Sequence, residues 1–259
     1  MANQHVAWSI NSRNEVSLIH ESHQGPPMLG ELNVVDISYS VSETVFILSV
    51  SDGNSYLEYG KNTMPSDWKS VTLVLPGEIQ VSKIDASPAD KVYLVLSDNT
   101  LAEIAAPDGT QAHPQVLDGS DGAAQVSAAP NGDVWIVAYT NDGSVVRCLS
   151  GNEWKTVPDI NNAYRVTGTA NGEAYVIKSD GNIVLVNTEG AQKEVPFEHN
   201  ATEISTGADG TLWVIAQDGG LNGGVVYTTS DTGANWHQVS GADAKYLDAG
   251  TLAVAEATN

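Results

Sequence analysis

The chain has 259 residues, 41% of them hydrophobic, and a formal net charge of −21 from 32 acidic against 11 basic side chains. That field repels phosphate backbones and anionic headgroups, which argues against a nucleic-acid partner, and no apolar run approaches the ~20 residues a bilayer requires, which argues against membrane insertion. The lone Cys148 excludes an internal disulfide framework and fits a reducing compartment, while the opening MANQHVAWSI has neither a basic n-region nor a continuous apolar h-region. The expectation is a single domain over 1–259, cytoplasmic or released without a visible signal peptide.

In chain order, the first copy of a recurring unit holds VAWSI around Trp8, EVSLIH, and a further strand near Pro27 to Leu32. The second opens with VVDISYS around Ile37, turns at Ser42-Glu43, and continues into VFIL around Phe46, SYLEYG and Trp68 to Val71. The third runs from VSKIDAS around Ile84 through Ala89-Asp90 to VYLV around Tyr93 and LAEIAA. The fourth joins AQVSAA around Val126 to VWIV around Trp135 by Asn131-Gly132, then SVVRCLS and Trp154 to Val157. The fifth joins YRVTGTA around Val166 to AYVI around Tyr175 by Asn171-Gly172, then NIVLVNT. The sixth joins TEISTGA around Ile204 to LWVI around Trp213 by Asp209-Gly210 and ends in Trp236 to Val239. AKYLDAGTLAVAEATN remains as one or two spare strands.

The six aromatics Trp8, Phe46, Tyr93, Trp135, Tyr175 and Trp213 are spaced 38, 47, 42, 40 and 38 residues apart. A period near 40 signals one supersecondary unit copied several times. The runs are rich in β-branched and aromatic residues, and Asn-Gly and Asp-Gly accept the positive φ of tight hairpins. A four-stranded antiparallel meander cannot bury both its faces alone, so six copies stacked radially predict an all-β six-bladed propeller. The first copy lacks an opening strand; a C-terminal strand, KYLDA or LAVAEA, completing it closes the ring and removes two exposed edges.

ISTGADGTLWVIAQDGG and VSAAPNGDVWIVAYTNDG, each followed by a third strand and a closing Trp-x-x-Val, resemble tectonin repeats. The resemblance spans most of the chain and implies a six-bladed propeller of a class in which many members bind carbohydrate. Copy three lacks the closing tryptophan, and copy five has Val195-Pro196-Phe197 in its place. Thr229 to Trp236 is similar to the Asp-box, a hairpin device of sialidases and many non-enzymatic propellers.

A sialidase needs several arginines converging on a substrate carboxylate. The chain has Arg13, Arg147 and Arg165 at non-equivalent places in the repeat. No nucleophile elbow, phosphate loop or paired cysteine motif appears. Asp52, Asp98, Asp142, Asp180 and Asp218 recur in the second turn of their copies, where turn chemistry explains them; a ring attracting Ca²⁺ or bonding sugar hydroxyls is the functional alternative. Sugar binding asks for an aromatic face with a few polar neighbours. Trp68, Trp154 and Trp236 recur outside the core strands, beside Asp67, Glu153 and Asn235, and are the candidate ligand-binding residues. The first expectation is thus a lectin with repeated weak sites for neutral or methylated glycans or glycoconjugates, acting by avidity and needing no cofactor. The alternatives are a non-catalytic scaffold for a protein partner and an enzyme with a site in the central channel.

Overall fold

The computed structural model describes residues 3–29, 33–40, 42–61, 68–89, 91–105, 107, 109–217 and 224–253, and every structural statement concerns these. All regular structure among them is strand, arranged as six antiparallel blades. Blade 2 is β4 (Val34–Tyr39), β5 (Thr44–Ser51), β6 (Asn54–Lys61) and β7 (Lys69–Leu73). Blade 3 is β8 (Val81–Ala86), β9 (Val92–Leu96), β10 (Leu101–Ile104) and β12 (Gln115–Val116). Blade 4 is β13 (Ala123–Ala128), β14 (Val134–Thr140), β15 (Gly143–Ser150) and β16 (Glu153–Thr156). Blade 5 is β17 (Ala163–Gly168), β18 (Glu173–Lys178), β19 (Ile183–Asn187) and β20 (Gln192–Val195). Blade 6 is β21 (Ala201–Thr206), β22 (Leu212–Ala216), β23 (Gly224–Thr229) and β24 (His237–Ala244).

Blade 1 closes the ring as expected. Its inner strand is the C-terminal β25 (Tyr246–Ala253), followed by β1 (Asn3–Ile10), β2 (Val16–His20) and β3 (His23–Leu29). The pairing of β25 with β1 runs unbroken from Ile10 opposite Tyr246 to Asn3 opposite Ala253. The choice between KYLDA and LAVAEA is therefore resolved as one strand that takes in four residues of KYLDA and the first two of LAVAEA, whose other four lie outside the described residues. β2 and β3 are joined by a two-residue hairpin, with the backbone of His20 paired opposite that of His23. Blade 2 gains a fifth strand, β11 (Gln111–Ala112), which leaves the outer part of blade 3 and pairs parallel with β7. The missing tryptophan of copy three coincides with this detour.

The hydrophobic core is six wedges between neighbouring blades. Trp8 is buried against β4 and β5, Phe46 against β8 and β9, Trp135 against β17 and β18, and Trp213 against Leu247 and Ala249 of β25. Each aromatic reaches across to the next blade, and fully burying one such side chain contributes roughly 1.5–3 kcal/mol. Gly168 shows how tight the fit is: a Cβ there would stand 2.7 Å from Trp135 Cδ1 and 2.6 Å from Ala129 Cβ. The expected turns hold, with Gly132, Gly172 and Gly210 at φ of 90°, 76° and 87°. Asp90 and Asp218 lie outside the described residues.

Candidate functional site

Two polar regions emerge from this frame, one along the channel and one on the outer side of blades 5 and 6. The channel layer begins one residue past the apolar anchor of each inner strand. Ser38, Asp85, Ser127, Thr167, Ser205 and Asp248 each accept a backbone N–H from the next blade. The donors are Ala86 at 2.9 Å, Ala128 at 2.7 Å, Gly168 at 3.0 Å, Thr206 at 3.0 Å, Ala249 at 2.9 Å and Tyr39 at 2.6 Å. Inner strands of a propeller are not paired with each other, so their N–H groups need such partners. All six blades are linked in one closed circuit.

Two residues earlier on each inner strand comes a second layer: Asp36, Lys83, Gln125, Arg165, Glu203 and Tyr246. In blades 2 to 6 a β-bulge directly precedes this position and re-aims the strand. Arg165 pairs with Glu203 at 3.0 Å, and Lys83 stands 3.6 Å from Asp36 and 3.8 Å from the centre of the Tyr246 ring. The free spaces along the channel measure about 50 and 30 Å³, room for a water molecule or two and not for a sugar.

The outer groove, by contrast, has a volume of about 430 Å³, within the range of small-ligand sites. Its wall is a set of touching aromatic rings, three of them half-buried and the fourth, Tyr227, buried. Phe197 lies 4.6 Å from Trp236 and 5.4 Å from both Tyr227 and His199, and His199 stacks on Tyr227 at 4.6 Å with planes 27° apart. Glu198, Asn235 and His237 are exposed on its rim.

The turn that presents Trp236 is built by Asp231. Its carboxylate accepts Thr229 Oγ1 at 2.6 Å, Asn235 N at 2.9 Å and Asn235 Nδ2 at 2.6 Å. Those bonds, the Thr229 hydroxyl foremost, draw the Asp231 carboxyl down to about 2. Gly233, at φ 87°, is required because a Cβ there would meet Val195 Cγ1 at 2.4 Å. Trp236 Nε1 then donates to Pro196 O at 2.7 Å, so the indole is held across the seam between blades 5 and 6.

The other two candidate tryptophans occupy the equivalent seams. Trp154 Nε1 donates to Asp118 O at 3.0 Å, and the Arg147 guanidinium lies 5.0 Å over its ring. Trp68 packs 6.4 Å from Trp8 and against Gly60, where a Cβ would stand 2.2 Å from Trp68 Cδ1. Its Nε1 is buried with no hydrogen-bond partner among the described residues. Neither lines the groove that Trp236 borders. Phe197 and His199 were not among the expected site residues; the signal was the break in the repeat at Val195-Pro196-Phe197.

Two of the recurrent turn carboxylates, Asp98 and Asp180, are engaged locally. Asp98 accepts Thr100 N at 3.1 Å and Thr100 Oγ1 at 2.7 Å, and Asp180 accepts Asn182 N at 3.1 Å. Among the described residues no group of three or more His, Cys, Asp or Glu side chains is arranged to hold a metal ion. The arginines are equally dispersed: Arg13 pairs with Glu15, Arg147 covers Trp154, and Arg165 faces the channel.

The chain is similar in fold to solved propeller structures. A protein of unknown function from Bacteroides caccae matches with a TM-score of 0.61 at 11% identity, covering 96% of this chain and 99% of that one. Streptogramin B lyase matches with a TM-score of 0.56 at 12% identity over 92% of this chain and 74% of the lyase. YCF48 bound to D1 peptide matches with a TM-score of 0.56 at 14% identity, over 91% and 78%. At such identities the likeness concerns the fold alone. No family model matches the chain and no curated protein matches it.

Proposed function

We propose that the protein is a carbohydrate-binding propeller of tectonin-like type whose principal site is the groove beside Trp236. The observation that carries this reading is the joined aromatic surface of Phe197, His199, Tyr227 and Trp236 along an open space of about 430 Å³. The C–H face of a pyranose stacks on such a surface, and Glu198, Asn235 and His237 on the rim offer partners for its hydroxyls. None of the lining residues is Lys or Arg, and the chain carries −21, so the ligand is a neutral or methylated glycan. Trp154 and Trp68 hold the equivalent seams but present no comparable open face, the first covered by Arg147 and the second sunk against Trp8 and Gly60, so the reading rests on the groove beside Trp236.

Glycan-array binding with the wild type, Trp236→Ala and Trp154→Ala tests this. Loss of signal in the Trp236 variant supports the assignment; a folded Trp236→Ala protein with unchanged glycan binding overturns it. The scaffold alternative draws on Tyr139 and Tyr164, 58% and 42% exposed on neighbouring blades 4 and 5. Exposed tyrosines are characteristic anchors of protein interfaces. Charge-reversal of their surroundings leaves glycan binding intact and abolishes capture of a protein partner if that reading holds; a folded variant that keeps its partner refutes it.

A further inference from the structure

The channel circuit contains four hydroxyl residues and two carboxylates, and the two carboxylates flank a single serine. Ser38 Oγ lies 2.7 Å from Asp85 Oδ1 and 3.1 Å from Asp248 Oδ2, and it also accepts Ala86 N–H at 2.9 Å. A hydroxyl has one proton to give. If Ser38 gives it to Asp85, the contact with Asp248 is left as two oxygens facing each other without a hydrogen. Asp248 cannot turn away, because Oδ2 also accepts Tyr39 N at 2.6 Å and Oδ1 accepts the Ser205 hydroxyl at 2.6 Å. One added proton resolves the count.

We propose that a proton shared along Asp85, Ser38 and Asp248 fastens the C-terminal strand into the ring and makes the closure of the propeller pH-dependent.

The surroundings fit. Burial raises the Asp85 carboxyl to about 6, and burial together with the Asp85 charge raises Asp248 well above the ordinary carboxylate range. No cation stands in their layer to oppose this. The groups that face the pair from the other elements are Asp36 and Lys83, which pair with each other, Glu203 and Arg165, which pair with each other, and the hydroxyls of Tyr246 and Tyr39, the latter also near Glu43. The proton resides on Asp248, because the Ser38 hydroxyl proton goes to the nearer oxygen, that of Asp85 at 2.7 Å, and the 3.1 Å contact with Asp248 is the one left without a hydrogen. Asp248 belongs to β25, the one inner strand that arrives from the far end of the sequence. Its ionisation places two negative charges on either side of Ser38, at the joint where the first and last parts of the chain meet.

The sign follows from linkage. A carboxyl raised in the native state contributes stability that is fully present below the unfolded value and is lost as pH rises through the folded one. From pH 5 upward the native state then holds one more proton at Asp248 than the unfolded chain does. The unfolding constant of the wild type should accordingly rise about tenfold per pH unit relative to Asp248→Asn, until native Asp248 ionises and the difference flattens. Asparagine keeps a carbonyl oxygen for Tyr39 N–H and an amide donor for Ser205 Oγ, and it cannot ionise.

Urea unfolding of both proteins between pH 5 and 9 reads this difference, which cancels the contributions of the histidines. A difference slope near one proton supports the proposal, and parallel profiles overturn it. Should Asp248→Asn fail to fold, hydrogen exchange on the wild type decides. After correction for intrinsic rates, protection of Tyr246–Ala253 should fall between pH 6 and 9 by more than tenfold relative to β13. Equal protection of the two inner strands across that range overturns the proposal.

Discussion

Thr167 is the cleanest place to weigh the channel circuit. The residue is 4% exposed, and its Oγ1 accepts the N–H of Thr206 in the next blade at 3.0 Å. Thr167→Ser removes one methyl and keeps the acceptor, a loss of about 0.8 kcal/mol or less. Thr167→Ala removes the same methyl and also strands the Thr206 N–H, and a buried donor left without a partner costs about 1–3 kcal/mol. The space of about 30 Å³ beside Thr167 can admit a water to the vacated position, which pulls the penalty to the lower end. The difference between the two variants is therefore about 1 kcal/mol, equivalent to about 2–4 °C in Tm for a domain of this size. Equilibrium denaturation of both, read with a common m-value, measures it. Superimposable transitions for the alanine and serine variants would show that the circuit contributes nothing to blade cohesion.

Other consequences are open to direct test. Gly168→Ala drives a methyl into Ala129 and Trp135 at the blade 4–5 wedge, and overpacking of this kind costs about 1–3 kcal/mol; a denaturation midpoint equal to wild type would refute the close packing. The Asp231 carboxyl is drawn down to about 2 by its turn bonds, so the stability it provides is present above the unfolded carboxyl value and is lost as pH falls from about 4 toward 2. Asp231→Asn should abolish that acid-side dependence, and a wild type and variant with identical acid titrations would contradict it. Cys148 is wholly buried, and burial above all pushes its thiol up to about 12; it should resist alkylation at pH 8 in the native protein and react on unfolding. Rapid native labelling would place it elsewhere.

Much of the architecture could be read from the chain because it is periodic. Six aromatics in six apolar runs mark the second strand of each blade, and the lack of an opening strand before Trp8 points to closure from the C-terminus, as β25 shows. The channel circuit was present too, as a Ser, Thr or Asp immediately after Ile37, Ile84, Val126, Val166, Ile204 and Leu247. It escapes notice because Ser and Asp in a strand look like ordinary polar alternation, and nothing local says that the acceptor serves a neighbouring blade. The groove was legible only in part. Trp236 stands out by repetition, whereas Phe197 and His199 lie in an irregular connection where copy five departs from the pattern. Tryptophans in the same register also need not share a role: Gly60 lets Trp68 sink beside Trp8, and Arg147 covers Trp154. Local composition distinguishes neither case from an open face.

The carbohydrate-binding account stands or falls on the groove at blades 5 and 6. A titration of the wild type and Trp236→Ala with neutral and O-methylated oligosaccharides, followed by the indole and Tyr227 ring resonances, tests it most directly. The account predicts saturable shifts at Trp236 and Tyr227 in the wild type and at least a tenfold weaker response in the variant, as the loss of about 1.4 kcal/mol of stacking requires. Resonances of these rings unmoved by every neutral glycan, or an equal affinity in a folded Trp236→Ala protein, would contradict it.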